Sequence, residues 1–297
     1  MTSGRRRPDP VGEIVQHLEA ASYIADPSIG TALFMAQQLE RPLLVEGRAG
    51  VGKTELAKVM AETLETRLIR LQCYEGLDVN TSLYEWNYPR QLLHIKLEEG
   101  VGRRTEDRER EIFGREFLLE RPLLAALSEP ERAPVLLIDE IDRADEEFEA
   151  FLLEILADYQ ATIPELGTIK AVHIPLVILT SNRTRELSDA LRRRCLYLWI
   201  DYPDFDKELR IVRAKVPGIG ERLARQVVRF VEDVRGLDLE KSPGVSETLD
   251  WARAMMIMSY ESIDREAVEV TVGALLKDAD DLEDFRSGAL DKILASA

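Results

Sequence analysis

Leu43-Leu44-Val45-Glu46-Gly47-Arg48-Ala49-Gly50-Val51-Gly52-Lys53-Thr54-Glu55 is the stretch whose reading decides the fold. Leu43, Leu44 and Val45 are the apolar end of a predicted buried strand. From Gly47 to Thr54 the chain fits G-x-x-x-x-G-K-[ST] at every fixed position. Glycines let the backbone curl so that successive N–H groups converge on a polyanion with no Cβ in the way. Lys53 brings a compact positive charge to the β- and γ-phosphates of a nucleotide, and the Thr54 hydroxyl is a ligand for Mg²⁺. Glu55 to Glu62 are good helix formers, so a helix N-terminus, with its favourable dipole, faces the same anion. The binding set is therefore Gly47, Arg48, Ala49, Gly50, Val51, Gly52, Lys53, Thr54 and Glu55. A glycine turn between any strand and helix is the alternative, and the complete motif in its strand-to-helix setting argues against it.

Outward from this loop, apolar strand-sized runs alternate with helical ones. Arg67 to Gln72, Val135 to Ile138, Leu176 to Thr180 and Leu196 to Ile200 read as further strands, and Val11 to Ala21, Ile29 to Leu39, Phe117 to Leu127 and Glu146 to Asp158 as helices. This alternation predicts an α/β fold with a parallel sheet covered on both faces. Residues 75–98 read as loop and helix, with Trp86, Tyr88 and Leu92 packing on the sheet. Ala161-Thr162-Ile163 and Thr168-Ile169, around a Pro164-Glu165-Leu166-Gly167 turn, are two arms of a hairpin. The run from Arg103 to Glu111 is a self-neutralising charged segment on a solvated face. After Tyr202-Pro203 no strand pattern appears, and helices are expected at 205–216, 219–235, 245–259, 264–276 and 280–295. The domain boundary is therefore placed at 202/203, with an α/β nucleotide-binding domain at 1–202 and a smaller all-helical lid at 203–297. Met255, Met256 and Met258 are read as core filling rather than a pliable binding surface.

Composition narrows the partners. The 297 residues carry 39 basic and 55 acidic side chains, a net charge of -16, with the acid spread along the whole chain. Phosphate backbones repel such a molecule unless a local basic stripe overrides the average, so no nucleic acid is expected. No apolar run reaches the length of a membrane span. Arg5-Arg6-Arg7 is followed by Pro8-Asp9-Pro10 rather than an apolar segment, which argues against a signal peptide. The two cysteines, Cys73 and Cys195, match no metal spacing and are expected as reduced thiols of a cytoplasmic protein.

Two further elements carry chemistry. Val135-Leu136-Leu137-Ile138 runs into Asp139-Glu140 at the carboxyl end of a strand, where open α/β sheets place their reactive groups. Asp139 can hold Mg²⁺, directly or through water, together with Thr54, and Glu140 can polarise an attacking water. Alternatively the pair caps the next helix. The strand from Leu176 ends in Thr180-Ser181-Asn182, and the Asn182 amide either holds the attacking water near the γ-phosphate or simply makes a turn. Arg192-Arg193-Arg194 finish a short helix; they either suit its negative end or present an arginine to a neighbouring subunit's γ-phosphate.

These motifs, in this order and followed by an all-helical C-terminal part, resemble an AAA+ ATPase. Ile138 to Ala144, Phe151 to Leu156 and the hairpin ahead of the Asn182 strand resemble the MoxR branch. Most similar are the MoxR-type ATPases of carbon monoxide dehydrogenase maturation, which pair with proteins carrying a von Willebrand factor A domain. The resemblance covers roughly residues 20–260. It implies an ATP-hydrolysing, Mg²⁺-dependent chaperone acting on a client metalloenzyme, assembled as a homo-oligomeric ring, expected to be a hexamer. It makes Glu140 the base, Asn182 the sensor and Arg194 the trans finger, with Arg193 second. Many relatives carry a sensor arginine at the start of the lid helix, where this chain has Pro243-Gly244-Val245-Ser246-Glu247-Thr248. Its nearest arginine there, Arg253, lies about two turns on. The alternatives from other classes are a nucleic-acid motor or loader, and a scaffold that binds nucleotide without turnover.

Overall fold

The structure, a computed structural model, describes residues 9–97 and 111–296. The charged run expected on a solvated face lies outside the described residues, apart from Glu111. Two compact units emerge. One comprises residues 28–46 and 57–198; the other gathers the described residues up to Pro27, Gly47–Leu56 and Trp199 onward.

The first unit is built on a five-stranded sheet of order β2-β5-β8-β1-β9. Its strands are β1 (Leu43–Gly47), β2 (Leu68–Gln72), β5 (Val135–Asp139), β8 (Leu176–Ser181) and β9 (Leu196–Ile200). β5 pairs in parallel with β2 and β8, and β8 with β1. Burial follows position in the sheet. The three inner strands are buried at every residue, as their unbroken apolar runs require, whereas β2 and β9 at the edges alternate. That alternation turns Arg70 and Gln72 outward together on β2. Leu123, Leu124 and Leu127 of helix Pro122–Ser128, and Phe148, Leu152 and Ile155 of helix Glu146–Asp158, join Leu136, Ile138, Val177 and Leu179 in one core. Each such side chain contributes about 1.5–3 kcal/mol on burial. The hairpin forms as expected: β6 (Gln160–Ile163) pairs antiparallel with β7 (Gly167–Lys170), turning at Gly167 with φ 79°.

Two local expectations are corrected. Trp86 is buried, but Tyr88 and Leu92 are 59% and 60% exposed on helix Tyr88–Leu97 and do not pack on the sheet. Instead β3 (Tyr84–Trp86) pairs antiparallel with β4 (Leu118–Glu120) in a separate two-stranded ribbon. The helix expected from Phe117 accordingly begins only at Pro122, because proline at the first helical position fixes φ and needs no hydrogen-bond acceptor.

The second unit contains the C-terminal helices Phe205–Lys215, Glu221–Arg235, Val245–Ile257 and Arg265–Thr271. The last predicted helix is interrupted: Ala279–Asp284 and Leu290–Ser296 flank a π-helical segment at Phe285–Ala289. Phe230 packs against Trp251 and Phe285 with ring centroids 4.8 and 6.0 Å apart, and the Trp251 indole N–H donates to Thr271 Oγ1 at 2.8 Å. Met255 is fully buried here and Met258 is half exposed, so the methionines form no continuous binding surface.

A buried ion pair joins three of these helical segments. The Arg235 guanidinium donates to both Glu208 oxygens at 2.5 and 2.8 Å, to Thr248 Oγ1 at 3.1 Å and to the Pro243 carbonyl at 2.7 Å. Arg235→Ala would leave the Glu208 carboxylate, 1% exposed, without its cation. We expect a loss of about 3–5 kcal/mol in denaturant-unfolding stability; a change within experimental error would show the pair to be dispensable.

Candidate nucleotide site

The phosphate loop lies in the second unit. β1 ends at Gly47, where a Cβ would stand 2.0 Å from the Ile200 carbonyl oxygen, so only glycine permits this close approach. Gly50 and Gly52 have φ of 74° and 93°, left-handed values that turn the backbone back on itself before the helix opens at Lys53. The Lys53 side chain is buried and its Nζ donates to the carbonyls of Gly47 and Arg48 at 2.8 and 2.6 Å. The ammonium is thus drawn into the concavity of the loop. Arg48 lies over the Tyr202 ring, 5.5 Å from its centroid, with Asp201 3.9 Å away. Val51 is half-buried.

Other elements of this unit close on the loop. The Ser246 N–H donates to the Gly50 carbonyl at 3.2 Å, and a Cβ on Gly244 would meet the Ala49 oxygen at 2.7 Å. The N-terminus of helix Val245–Ile257 therefore rests on Ala49-Gly50, and glycine at 244 makes that approach possible. Lys215 Nζ donates to Glu55 at 2.9 Å. Tyr23, 7% exposed, sets its ring beside Gly52; burial first, then Asp26 and Glu55, holds its phenol well above the usual range. Arg253 is committed to Asp250 Oδ1 at 3.1 Å and the Lys215 carbonyl at 3.4 Å.

Asp139, Glu140 and Asn182 lie in the first unit. Asp139 ends β5. Its Oδ1 accepts from Thr180 Oγ1 at 2.6 Å and its Oδ2 from Arg70 Nη2 at 2.6 Å. Thr180 Oγ1 in turn accepts from the Glu140 N–H at 2.9 Å, so one hydroxyl on β8 fixes both members of the pair. Glu140 takes φ 56° and ψ 51°, a conformation that costs a non-glycine residue roughly 1–3 kcal/mol and persists where surrounding structure imposes it. Its Oε2 accepts from Gln72 Nε2 at 3.0 Å, with Arg143 Nη1 at 3.4 Å. Arg70 also donates to Gln72 Oε1 at 2.5 Å. That bond orients the amide so that its NH₂ group faces Glu140. Cys73, buried beside this cluster, has its thiol pushed up to about 12 by burial, then by Asp139, Asp142 and Glu140; it stays protonated at neutral pH. Cys195 is pushed up to about 12 by burial, and both cysteines are free.

Asn182 follows β8 and is half-buried. Its backbone N–H donates to Asp142 Oδ2 at 3.2 Å. Arg193 and Arg194 stand apart from this cluster, exposed at the end of helix Asp189–Arg194. Their carbonyls accept from the Arg41 guanidinium at 2.7 and 3.2 Å. The negative end of that helix is thus satisfied by Arg41, and the charges of Arg193 and Arg194 point outward.

Arg70, Gln72, Thr180 and Asp142 escaped the sequence reading. The signal for the first two was the i, i+2 spacing of polar residues on an edge strand; for Thr180 it was a hydroxyl ending an otherwise apolar run. Thr54 and Asp139 each offer a hard oxygen of the kind that Mg²⁺ takes. No group of three or more potential metal-ligating His, Cys, Asp or Glu residues occurs among the described residues, and no helix among them is long and apolar enough to cross a membrane.

Residues 42–195, just over half the chain, match the model of the AAA domain (dynein-related subfamily). An uncharacterised protein of Staphylococcus aureus (strain USA300) is 28% identical over 225 residues, covering 73% of this chain and 76% of that protein. Two mutant forms of Thermotoga maritima RuvB share the fold. They are 20% and 19% identical, both at a TM-score of 0.50, and each covers 98% of this chain; the coverage of the RuvB chains is 84% and 85%.

Proposed function

The chain belongs to the AAA domain family, dynein-related subfamily, and from that premise we propose that it hydrolyses ATP to ADP and phosphate to remodel a protein client. The observation that carries the reading is Glu140: a carboxylate in an imposed left-handed conformation, next to Asp139 and held through Oε2 by Gln72 and Arg143. A carboxylate held at the end of the strand beside Asp139 suits proton transfer. In this reading Gly47 to Gly52 wrap the phosphates, Lys53 neutralises the β- and γ-oxygens, and Thr54 and Asp139 hold Mg²⁺. Magnesium, when bound, offsets the charge that develops on the transferred phosphoryl group. Glu140 takes the proton of the attacking water, Asn182 orients that water, and Arg194 serves the neighbouring subunit's site.

The domain assignment that goes with this function is an α/β domain at 1–202 and a helical lid at 203–297. We assign the chain to the MoxR branch, working in the cytoplasm as a homo-oligomeric ring, a hexamer by resemblance. It acts in metalloenzyme maturation with a partner carrying a von Willebrand factor A domain. The Ile138-Asp139-Glu140-Ile141-Asp142-Arg143-Ala144 segment and the hairpin at β6–β7 support that assignment.

Lys53→Ala tests the site. Charge-assisted hydrogen bonds contribute roughly 1.5–3 kcal/mol, so ATP affinity should fall by about 10- to 10²-fold by calorimetric titration. Undiminished affinity would remove the loop from the site. The branch assignment is tested separately by co-purification: the partner retained on Glu140→Gln rings should carry a von Willebrand factor A domain, and retention of nucleic acid instead would favour a motor.

A further inference from the structure

Asp142 lies three residues beyond Asp139 and is 2% exposed. A single oxygen, Oδ2, collects three hydrogen bonds from the turn that follows β8: the Asn182 N–H at 3.2 Å, the Thr184 N–H at 2.9 Å and the Thr184 hydroxyl at 2.8 Å. Between those two residues Arg183 has φ 58°, its N–H donating to Ser181 Oγ at 3.0 Å and its guanidinium 3.9 Å from Glu46, a left-handed conformation that surrounding contacts hold in place. The other carboxylate oxygen, Oδ1, is buried with no hydrogen-bond partner among the described residues. Burying a carboxylate with one oxygen unsatisfied costs free energy, and the three bonds to its other oxygen are what offset it.

The same segment anchors the rest of the turn. The Ala144 carbonyl accepts from Arg185 Nε at 3.0 Å, and Glu149, fully buried, accepts from the Ser188 N–H at 2.8 Å with Arg185 Nη2 2.5 Å from its other oxygen. Residues 140–149 and 182–188 are therefore tied together, with Asp142 at the end next to Glu140 and Asn182.

We propose that Asp142 is a positioning residue that fixes Asn182 relative to Glu140, so that the sensor amide and the general base address one water. This rests on the hydrolytic reading above. A helix cap or a surface turn would not place three donors on one buried oxygen, whereas a clamp that must set the direction of the next side chain would. Because Asp142 and Glu140 are two residues apart, whatever moves the acidic pair moves Asn182 with it. The carboxylate touches no reacting atom; it acts through the backbone of Asn182 and Thr184.

A double-mutant cycle in the full chain, backed by hydrogen exchange, tests this. Asp142→Ala should lower kcat by about 10- to 10²-fold, the scale of a misplacement near 1 Å, with KM for ATP and ATP affinity nearly unchanged. Asp142→Asn, which retains one acceptor oxygen, should recover most of that rate. In the Asn182→Ala background the further loss from Asp142→Ala should shrink to less than about twofold, since there is no longer an amide to place. Amide exchange at Asn182 and Thr184 should accelerate selectively. Thr184→Val removes one donor while keeping shape, and supplies the same cycle if Asp142→Ala fails to fold. Full multiplicative losses in the double variant, or an unchanged kcat with accelerated exchange, would overturn the clamp while leaving hydrolysis intact. Unchanged turnover in both Asn182→Ala and Glu140→Gln would overturn the hydrolytic reading and the clamp with it.

Discussion

Glu140→Gln should bind ATP as the wild type does and turn it over roughly 10²- to 10⁴-fold more slowly, the range attributed to a positioned general base. The substitution is isosteric, so the backbone N–H still reaches Thr180 Oγ1 and the left-handed turn after β5 keeps its support. The amide oxygen can still accept from Gln72 Nε2. What disappears is the ability to take a proton. A carboxamide can hold the attacking water but leaves the proton on it as the oxygen approaches phosphorus. Phosphate release measured at saturating ATP, alongside a calorimetric ATP affinity, separates the two effects. Turnover at the wild-type rate would place the base on another residue, and a parallel loss of affinity would mean that Glu140 supports the loop rather than the chemistry.

Much of this site was legible because its pieces are short and local. The phosphate loop is read from eight consecutive residues, and the acidic pair from an apolar strand ending in Asp139-Glu140; both depend on backbone geometry that adjacent residues dictate. The inner strands were legible for the same reason, since unbroken apolar runs between helices leave a covered parallel sheet as the natural arrangement. What could not be read joins residues far apart in the chain. Gln72 meets Glu140 and Arg70 meets Asp139 only because β2 lies beside β5. Thr180 and Asp142 act across a separation of some 40 residues in the chain. Periodicity reports which face of an element is apolar and is silent about its partner. The β3–β4 ribbon was missed because strands of three residues are too short to show alternation. Tyr88 and Leu92 were assigned to the core on hydrophobicity alone, and exposure at both shows the weakness of that inference. The two compact units also group Gly47–Leu56 with the C-terminal helices, an association that no local pattern encodes.

Arg194→Ala should leave ATP affinity per subunit nearly unchanged and lower turnover by about 10³-fold or more, the effect of losing an arginine finger. The competing explanation is that the three arginines neutralise the negative end of their helix. Arg41 already donates to the carbonyls of Arg193 and Arg194 at 2.7 and 3.2 Å, while the side chains of Arg192, Arg193 and Arg194 are exposed. Removing the Arg194 guanidinium should therefore cost little stability, as expected for an exposed side chain away from packing and caps. Mixing makes the argument sharper. Arg194→Ala subunits keep an intact pocket and lack the finger; Lys53→Ala subunits keep the finger and bind ATP weakly. Each is slow alone, but a mixed ring sets the finger of the second against the pocket of the first. Hydrolysis should partly recover on mixing and rise with protein concentration, because assembly creates the complete site. Arg193→Ala measured in the same way identifies which of the two arginines reaches across. No recovery at concentrations where rings are seen by light scattering, with Arg193→Ala also harmless, would exclude a shared site and leave each subunit to hydrolyse with its own residues.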